Sequence, residues 1–138
     1  MKMTKMSRAI MPGMTNQRGI LFGGQMMAWM DEVSGITAKR FTECEVTTVA
    51  VEQIKFLAPD LVTKILLIWA KGKKPVPLVQ EFLDVCGEVV SVGNTSLKVQ
   101  IEAWMDVSNG ESEKVAEGLF VYVALDEHGK PRKVGKTL

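Results

Sequence analysis

The hydrophobic positions of the chain follow two spacings, and the change between them falls just after residue 41. From residue 23 to 41 they recur at intervals of three and four, which is the period of a helix that is buried on one side. The pattern therefore predicts one long amphipathic helix. Its expected apolar stripe consists of Met26, Met27, Met30, Val33, Thr37, Ala38 and Phe41.

After this helix the pattern is typical of β-strands, which are predicted at 46–57, 82–92, 97–107 and 115–125. The third of them alternates regularly between apolar and mostly polar residues, as expected for an antiparallel strand with one wet face. Asn109-Gly110 precedes the last strand and predicts a tight hairpin turn. One helix followed by closely spaced strands predicts an α+β fold, in which an antiparallel meander wraps against the helix.

Two segments are less regular than the rest. Residues 61–80 combine a short apolar run with a basic turn, and Pro75 and Pro77 argue against a central strand there. This atypical insertion is interpreted as an additional strand or hairpin arm, with a lid or a partner contact as the alternative. Residues 126–138 are turn-like and basic, which predicts a surface tail. Residues 1–138 show no internal repeat and are expected to form a single domain.

Composition excludes several classes of protein. Seventeen basic and sixteen acidic residues leave a net charge of +1, which gives no basis for nucleic-acid binding. The first residues lack the apolar core of a signal peptide, and the longest apolar run is too short to cross a membrane. Cys44 and Cys86 form neither a disulfide framework nor a metal motif. We expect a reduced, cytoplasmic protein in which both cysteines are small core residues.

Asp31 interrupts the apolar character of the predicted helix. It lies just past the edge of the stripe, and its neighbours on that edge are the small residues Ala28, Gly35 and Ala38. Small residues around an acid let a second backbone, a second subunit or a ligand come close. A favourable helix-dipole position is a poorer explanation, because that effect fades beyond the first turn. An interface carboxylate with satisfied hydrogen bonds is the other structural explanation, and Glu32 is expected to be ordinary surface.

Phe22-Gly23-Gly24 opens the helix and leaves its first N–H groups free of side chains. Such groups can bind an anion or a carbonyl oxygen that becomes negative during a reaction. A plain tight turn into a helix is the structural alternative. Asn16, just upstream, is either a turn residue or a second polar group directed at the same place.

Four blocks of sequence, in this order, resemble the hotdog-fold acyl-CoA thioesterases. They are "TNQRGILFGGQMMAWMDEVSGITAKR", "VTTVAVEQIKFLAP", "GEVVSVGNTSLKVQIEAW" and "FVYVALDEHGKPRKV". The resemblance is greatest to the branch of bacterial short-chain and animal cytosolic acyl-CoA hydrolases, and it covers nearly the whole chain except residues 61–80.

The resemblance implies hydrolysis of acyl-CoA to CoA and a carboxylic acid. It also implies a double hotdog dimer, often assembled as a trimer of dimers, with each site shared between two protomers. Asn16 would come from one chain to orient the water or the carbonyl, and Asp31 from the other as general base or nucleophile. The N–H of Gly24 would hold the thioester oxygen. No metal or organic cofactor is expected. CoA is part of the substrate and of the product.

The family match places Gly93, Asn94, Thr95 and Ser96 in a turn that contacts the pantetheine and phosphate region of CoA. Lys130, Arg132 and Lys133 are candidates for the nucleotide phosphates, because phosphates attract converging cations. A solvated basic tail is the alternative explanation for these three residues.

Other functions fit the sequence less well. A hotdog dehydratase commonly uses a histidine, whereas His128 stands in a predicted turn far from the helix. No G-x-S-x-G elbow of an α/β-hydrolase is present. The remaining alternative is a non-catalytic hotdog module that binds acyl-CoA as a sensor or scaffold. Such a module would not need Asp31 and Asn16 together.

Overall fold

The fold was derived from a computed structural model, which describes residues 3–17, 20–57, 82–106 and 112–138. These residues form a helix, α1 (Gly23–Thr42), and a short 3₁₀ turn, Pro12–Met14. The strands are β1 (Met3–Ala9), β2 (Glu45–Phe56), β3 (Phe82–Val92), β4 (Ser96–Asp106) and β5 (Ser112–Leu125). The predicted helix and four predicted strands are confirmed, with ends that differ by at most a few residues.

The strands form one antiparallel sheet in the order β1-β3-β4-β5-β2. The predicted meander is correct for β3, β4 and β5 but wrong for β2, which lies beyond β5 although it precedes β3 in the chain. β1 was not predicted. The predicted turn at Asn109-Gly110 and the segment 61–80 lie outside the described residues. Asp106 and Ser112, the described residues before and after 107–111, pair with each other.

Helix α1 lies on one face of the sheet and contacts all five strands. Its buried side is centred on Met30, Val33 and Thr37, which are almost inaccessible to solvent. Met27, predicted in the apolar stripe, is 40% exposed. It lies one turn before Asp31, which is also exposed. Trp29 is buried instead and belongs to the core.

The sheet and the helix come close together at Gly87 of β3. A Cβ atom at Gly87 would lie 2.6 Å from Oγ1 of Thr37 and 2.9 Å from Cδ1 of Ile101. Only a residue without a side chain fits between these buried groups. The absence of a side chain at Gly87 thus allows α1 to pack closely on the sheet at Thr37.

The two cysteines are free and half-buried. Cys44 packs against the core, whereas Cys86 alternates with the buried residues Val85 and Gly87 and so faces away from the helix. The prediction that both cysteines are core residues is therefore wrong for Cys86. Partial burial raises the pKa of the Cys86 thiol.

The C-terminal segment is an exposed turn and extension, as predicted, but it is fixed to the fold. Val134 is 3% exposed, and the backbone N–H of Arg132 donates to the carbonyl of Ala124 at 2.9 Å. The Lys136 ammonium also binds the Glu43 carboxylate at the end of α1. The segment therefore has a defined position next to the β3–β4 turn.

Candidate active site

Asp31 lies in a groove between α1 and the first half of β2. The groove has a volume of about 410 Å³ and is also bordered by Gly35, Thr48 and Tyr122. Thr48 Oγ1 donates a hydrogen bond to Asp31 Oδ1 at 3.1 Å, and Tyr122 Oη donates to the same oxygen at 3.2 Å. The carboxylate is thus exposed to the groove, and one of its oxygens is held from the adjacent strands.

The strand register places these two donors side by side. Thr48 of β2 pairs directly with Tyr122 of β5, so both side chains point to the helix side of the sheet. Gly35 of α1 lies next to the phenol, since a Cβ atom there would be in van der Waals contact with Tyr122 Oη at 3.5 Å. The helix turn that carries Asp31 therefore lies directly over the phenol.

A buried serine completes this group of side chains. Ser34 Oγ lies 2.5 Å from Tyr122 Oη and 2.9 Å from the backbone oxygen of Asp31. Burial raises the pKa of the Tyr122 phenol, and the charge of Asp31 raises this pKa further. Hydrogen bonding with Ser34 and Thr48 lowers the pKa and so partly opposes the effect of burial. The phenol is therefore protonated near neutral pH and remains a hydrogen-bond donor.

The predicted edge of small residues beside Asp31 is only partly correct. Ala28 is exposed and Gly35 borders the groove, whereas Ala38 is completely buried in the core. The small-residue edge ends before Ala38 because the helix there packs against the sheet. Glu32 is a surface residue, as predicted, and its carboxylate pairs with Arg8 of β1 at 2.6 Å.

Asn16 stands in the loop before α1 and is exposed. Its backbone N–H donates to the carbonyl of Ile20 at 2.8 Å, and its side-chain oxygen accepts from the N–H of Ile20 at 3.2 Å. None of the hydrogen bonds of Asp31 within the described ranges comes from Asn16. Within one chain, Asn16 and Asp31 are therefore not hydrogen-bonded to each other.

Gly24 lies in the first turn of α1. The N-cap residue, Phe22, makes no side-chain hydrogen bond to the helix start, and a Cβ atom at Gly24 would have no neighbour within 4 Å. The Phe56 ring of β2 lies 3.7 Å from the Cβ position of Gly23. The helix start is thus open at Gly24 and covered by an aromatic ring at Gly23.

The two predicted CoA-binding segments lie together at one end of the sheet. Residues 93–96 form the turn between β3 and β4, closed by a 2.7 Å hydrogen bond from the N–H of Gly93 to the carbonyl of Ser96. The N–H of Val134 donates to the carbonyl of Asn94 at 2.9 Å. This bond brings the exposed cations beside the turn. They are Lys130, Arg132 and Lys133.

Thr95 and Arg132 both bind the end of β5. The carbonyl of Thr95 accepts from the N–H of Ala124 at 2.9 Å, and Arg132 borders a second open groove of about 580 Å³ at the end of α1. His128 is exposed in the adjacent turn, as predicted.

In the part of the chain that the structure describes, no cluster of three or more His, Cys, Asp or Glu side chains could hold a metal ion. No helix in that part is long and apolar enough to span a membrane.

Sequence reasoning missed Tyr122, Thr48 and Ser34 as site residues. Thr48 and Tyr122 lie in segments that were correctly predicted as strands, but their pairing depends on a contact between residues far apart in sequence. The isolated tyrosine in the otherwise apolar stretch "LFVYVAL" was the available signal, because a buried phenol requires a hydrogen-bond partner.

A series of solved structures of the *Staphylococcus aureus* acyl-CoA hydrolase includes variants in which an asparagine, an aspartate or a threonine is replaced by alanine. In that protein the aspartate follows the asparagine by fifteen positions, and the threonine follows the aspartate by seventeen. Asn16, Asp31 and Thr48 have the same two separations. The spacing of the candidate residues is therefore the spacing of three substituted positions in that hydrolase.

The chain resembles known proteins in sequence and in fold. Residues 18–71 match the sequence model of the thioesterase superfamily. The acyl-CoA thioester hydrolase YciA of *Escherichia coli* is 36% identical over 126 residues, which cover 88% of this chain and 83% of that protein.

Two solved structures show the same fold. The *S. aureus* acyl-CoA hydrolase, solved with butyryl-CoA and CoA, has a TM-score of 0.77 and 27% identity, covering 95% of this chain and 70% of that one. The hexameric thioesterase y2039 of *Yersinia pestis* has a TM-score of 0.75 and 30% identity, covering 96% and 94%. The single helix on a five-stranded antiparallel sheet is thus the hotdog fold, and the chain belongs to the acyl-CoA thioester hydrolases of the thioesterase superfamily.

Proposed function

We propose that this protein hydrolyses acyl-CoA thioesters to CoA and a carboxylic acid, with Asp31 as the catalytic carboxylate. The observation that carries the proposal is the carboxylate in the groove, held at Oδ1 by Thr48 and Tyr122. Fixed hydrogen bonds orient a catalytic group before the substrate arrives, which removes part of the entropic barrier. The family relationship supplies the substrate class.

Asp31 acts on the thioester carbonyl in one of two ways. As a general base, it takes a proton from water while the water oxygen attacks the carbonyl carbon. As a nucleophile, Asp31 itself attacks that carbon and forms an anhydride, which water then hydrolyses. In both routes the C–S bond breaks and CoA leaves as a thiolate, which needs no strong general acid.

The N–H of Gly24 stabilises the oxygen that becomes negative during the attack. The helix start is not capped by a side chain, and the space above Gly24 is open. An N–H group at a helix start adds the positive end of the helix dipole. By analogy with other oxyanion holes, one such donor contributes about 3 kcal/mol to transition-state stabilisation.

Asn16 reaches the Asp31 of a second protomer, where it orients the attacking water or the carbonyl. Among the described residues β2 is an edge strand of the sheet, which supports this assembly. Val49 and Val51 of that strand are exposed, as is Phe56 at its end, and an apolar edge strand favours association with another strand. The hexameric assembly of the *Y. pestis* relative supports a trimer of such dimers.

We expect Val51→Asp to convert the protein to a smaller species with greatly reduced activity, because it places a charge in the proposed interface. Val90→Asp is the matched control, since Val51 and Val90 are both 42% exposed and Val90 lies on β3 instead. Analytical ultracentrifugation gives the mass, and thiol release gives the activity. A Val51→Asp protein with the wild-type mass would exclude β2 as the interface.

The CoA phosphates bind at the end of the sheet where the β3–β4 turn meets the C-terminal segment. Lys130, Arg132 and Lys133 supply the positive charge, and the turn formed by Gly93, Asn94, Thr95 and Ser96 contacts the pantetheine arm. The hydrogen bond between Val134 and Asn94 supports this assignment because it joins the two segments. No cofactor takes part in this mechanism.

The activity is tested by measuring free thiol released from a series of acyl-CoA substrates, from short to long acyl chains. We expect hydrolysis of at least part of the series by the purified protein. Binding of CoA by calorimetry without turnover of any substrate would instead establish the non-catalytic acyl-CoA-binding module. The same series also gives the chain-length preference.

A further inference from the structure

Three side chains from two elements form a continuous hydrogen-bonded chain that ends at the proposed catalytic oxygen. Ser34 and Tyr122 are both buried, with 0% and 2% exposure. The oxygen atoms of Ser34 and Tyr122 lie 2.5 Å apart, and Tyr122 Oη lies 3.2 Å from Asp31 Oδ1. In the proposed function Tyr122 is one of two donors that hold Oδ1, and Ser34 has no role.

The number of protons determines which oxygen donates in each hydrogen bond of this group. A proton must lie between Ser34 and Tyr122, because two bare oxygens 2.5 Å apart repel each other. If Tyr122 supplied it, the lone pairs of the phenol would face the ionised Asp31 carboxylate. The favourable arrangement therefore has Ser34 donating to Tyr122, and Tyr122 donating to Asp31 Oδ1.

The backbone oxygen of Asp31 does not require either proton. Tyr122 Oη lies 3.2 Å and Ser34 Oγ 2.9 Å from that oxygen. It is, however, a carbonyl inside α1 and accepts its regular helical hydrogen bond. The carboxylate is the stronger acceptor for the phenol because it is charged.

We propose that Tyr122, oriented by Ser34, is a positioning residue that fixes Oδ1 of Asp31 and directs Oδ2 at the reacting water or thioester. This proposal rests on the proposed function. Within the described residues, Oδ1 accepts two hydrogen bonds and Oδ2 accepts none. The two carboxylate oxygens thus have different roles, and the protein determines which of them reacts.

Tyr122 differs from Thr48, the other donor to Oδ1, in its access to solvent. Thr48 is exposed, so water can replace its hydrogen bond. Tyr122 is buried, and water does not compete with it in the same way. Burial also keeps the phenol protonated. Tyr122 therefore supplies the persistent hydrogen bond, and Thr48 the exchangeable one.

The first test is the kinetics of Tyr122→Phe in the assembled protein. We expect kcat to fall about tenfold to a hundredfold, since a hydrogen bond to a charged group is lost, while KM stays within about twofold. The variant should fold, because the Ser34 hydroxyl can then donate to the backbone oxygen of Asp31, which lies 2.9 Å away. An unchanged kcat in the folded variant would overturn the proposal.

Ser34→Ala separates positioning from a simple packing role. We expect a smaller fall in kcat, of about threefold to tenfold, because Ser34 acts through Tyr122. In the Tyr122→Phe background the same substitution should have no further effect on kcat, which a double-mutant cycle measures. Independent, additive losses would show that Ser34 does not act through Tyr122.

A spectroscopic test does not depend on activity. Tyr122 is the only tyrosine of the chain, so the phenolate absorbance of the folded protein reports this residue alone. Burial first, and the charge of Asp31 in addition, raise the pKa of Tyr122. We expect Asp31→Asn to lower that pKa and Glu32→Gln to leave it unchanged, with circular dichroism confirming the fold at each pH. An identical titration of wild type and Asp31→Asn would exclude the coupling.

Failure of the proposed function and failure of the positioning role would give different results. If Asp31→Ala retains activity, the proposed function of this site is wrong whatever Tyr122 does. If Asp31→Ala is inactive but Tyr122→Phe has the wild-type kcat, only the positioning role is wrong. The titration remains decisive even if Tyr122→Phe fails to fold, because it uses the wild-type tyrosine.

Discussion

Replacement of Asp31 by alanine is expected to abolish acyl-CoA hydrolysis while the protein stays folded and still binds CoA. The side chain lies in an open groove, so its removal leaves no cavity in the core. Loss of a general base or nucleophile typically lowers kcat by about a hundredfold to ten-thousandfold. Thiol release measures the activity, circular dichroism the fold and calorimetry the affinity for CoA.

Glu32→Ala is the matched control for this prediction. It removes a carboxylate from the adjacent position of the same helix, and that carboxylate pairs with Arg8 instead of the site. We expect turnover close to that of wild type. If a folded Asp31→Ala protein hydrolyses acyl-CoA at the wild-type rate, Asp31 is not the catalytic group.

Mixing two inactive variants, Asn16→Ala and Asp31→Ala, is expected to restore activity. In a mixed dimer with sites shared between protomers, one site carries both substitutions and the other carries neither. Random exchange makes half of the dimers mixed, so about a quarter of the wild-type activity should return. Thiol release after incubation of the mixture measures this recovery.

The control mixture combines Asn16→Ala with the double variant Asn16→Ala/Asp31→Ala, in which no site is intact. It should stay inactive. Exchange of protomers is checked by native mass spectrometry with one partner isotope-labelled. If mixed dimers form and the first mixture remains inactive, Asn16 and Asp31 do not act across the interface.

The sequence predicted the main elements well where the pattern was strong. In β4 the residues Leu97, Val99 and Ile101 alternate with polar neighbours, and each is almost fully buried. β1 was not predicted, because its sequence "MTKMSRA" has only one buried position, Thr4. A strand at the edge of a sheet needs little apolar surface, so its sequence resembles that of a loop.

The site was predictable only in its local part. Asp31 was identified because an acid beside an apolar stripe is unusual on a helix, and Gly24 because it opens the same helix. Thr48 and Tyr122 meet at Asp31 through the pairing of β2 with β5. These strands are neighbours in the sheet although β3 and β4 lie between them in the sequence. Periodicity within a segment contains no information about that pairing.

The first irregularity in the pairing of β2 separates the residues up to Thr48 from the rest of the strand, so the two parts can vary independently. The register with β5 shifts between Thr48 and Ala50, so Val49 is an additional residue in the ladder. Thr48, whose hydroxyl binds Asp31, precedes Val49. The exposed residues Val51 and Phe56 follow it. A gain or loss of one residue at Val49 would be absorbed locally and would leave Thr48 opposite Tyr122. Evolution or protein engineering can therefore remodel the second half of the strand, including its length, without moving the hydrogen bond to the carboxylate.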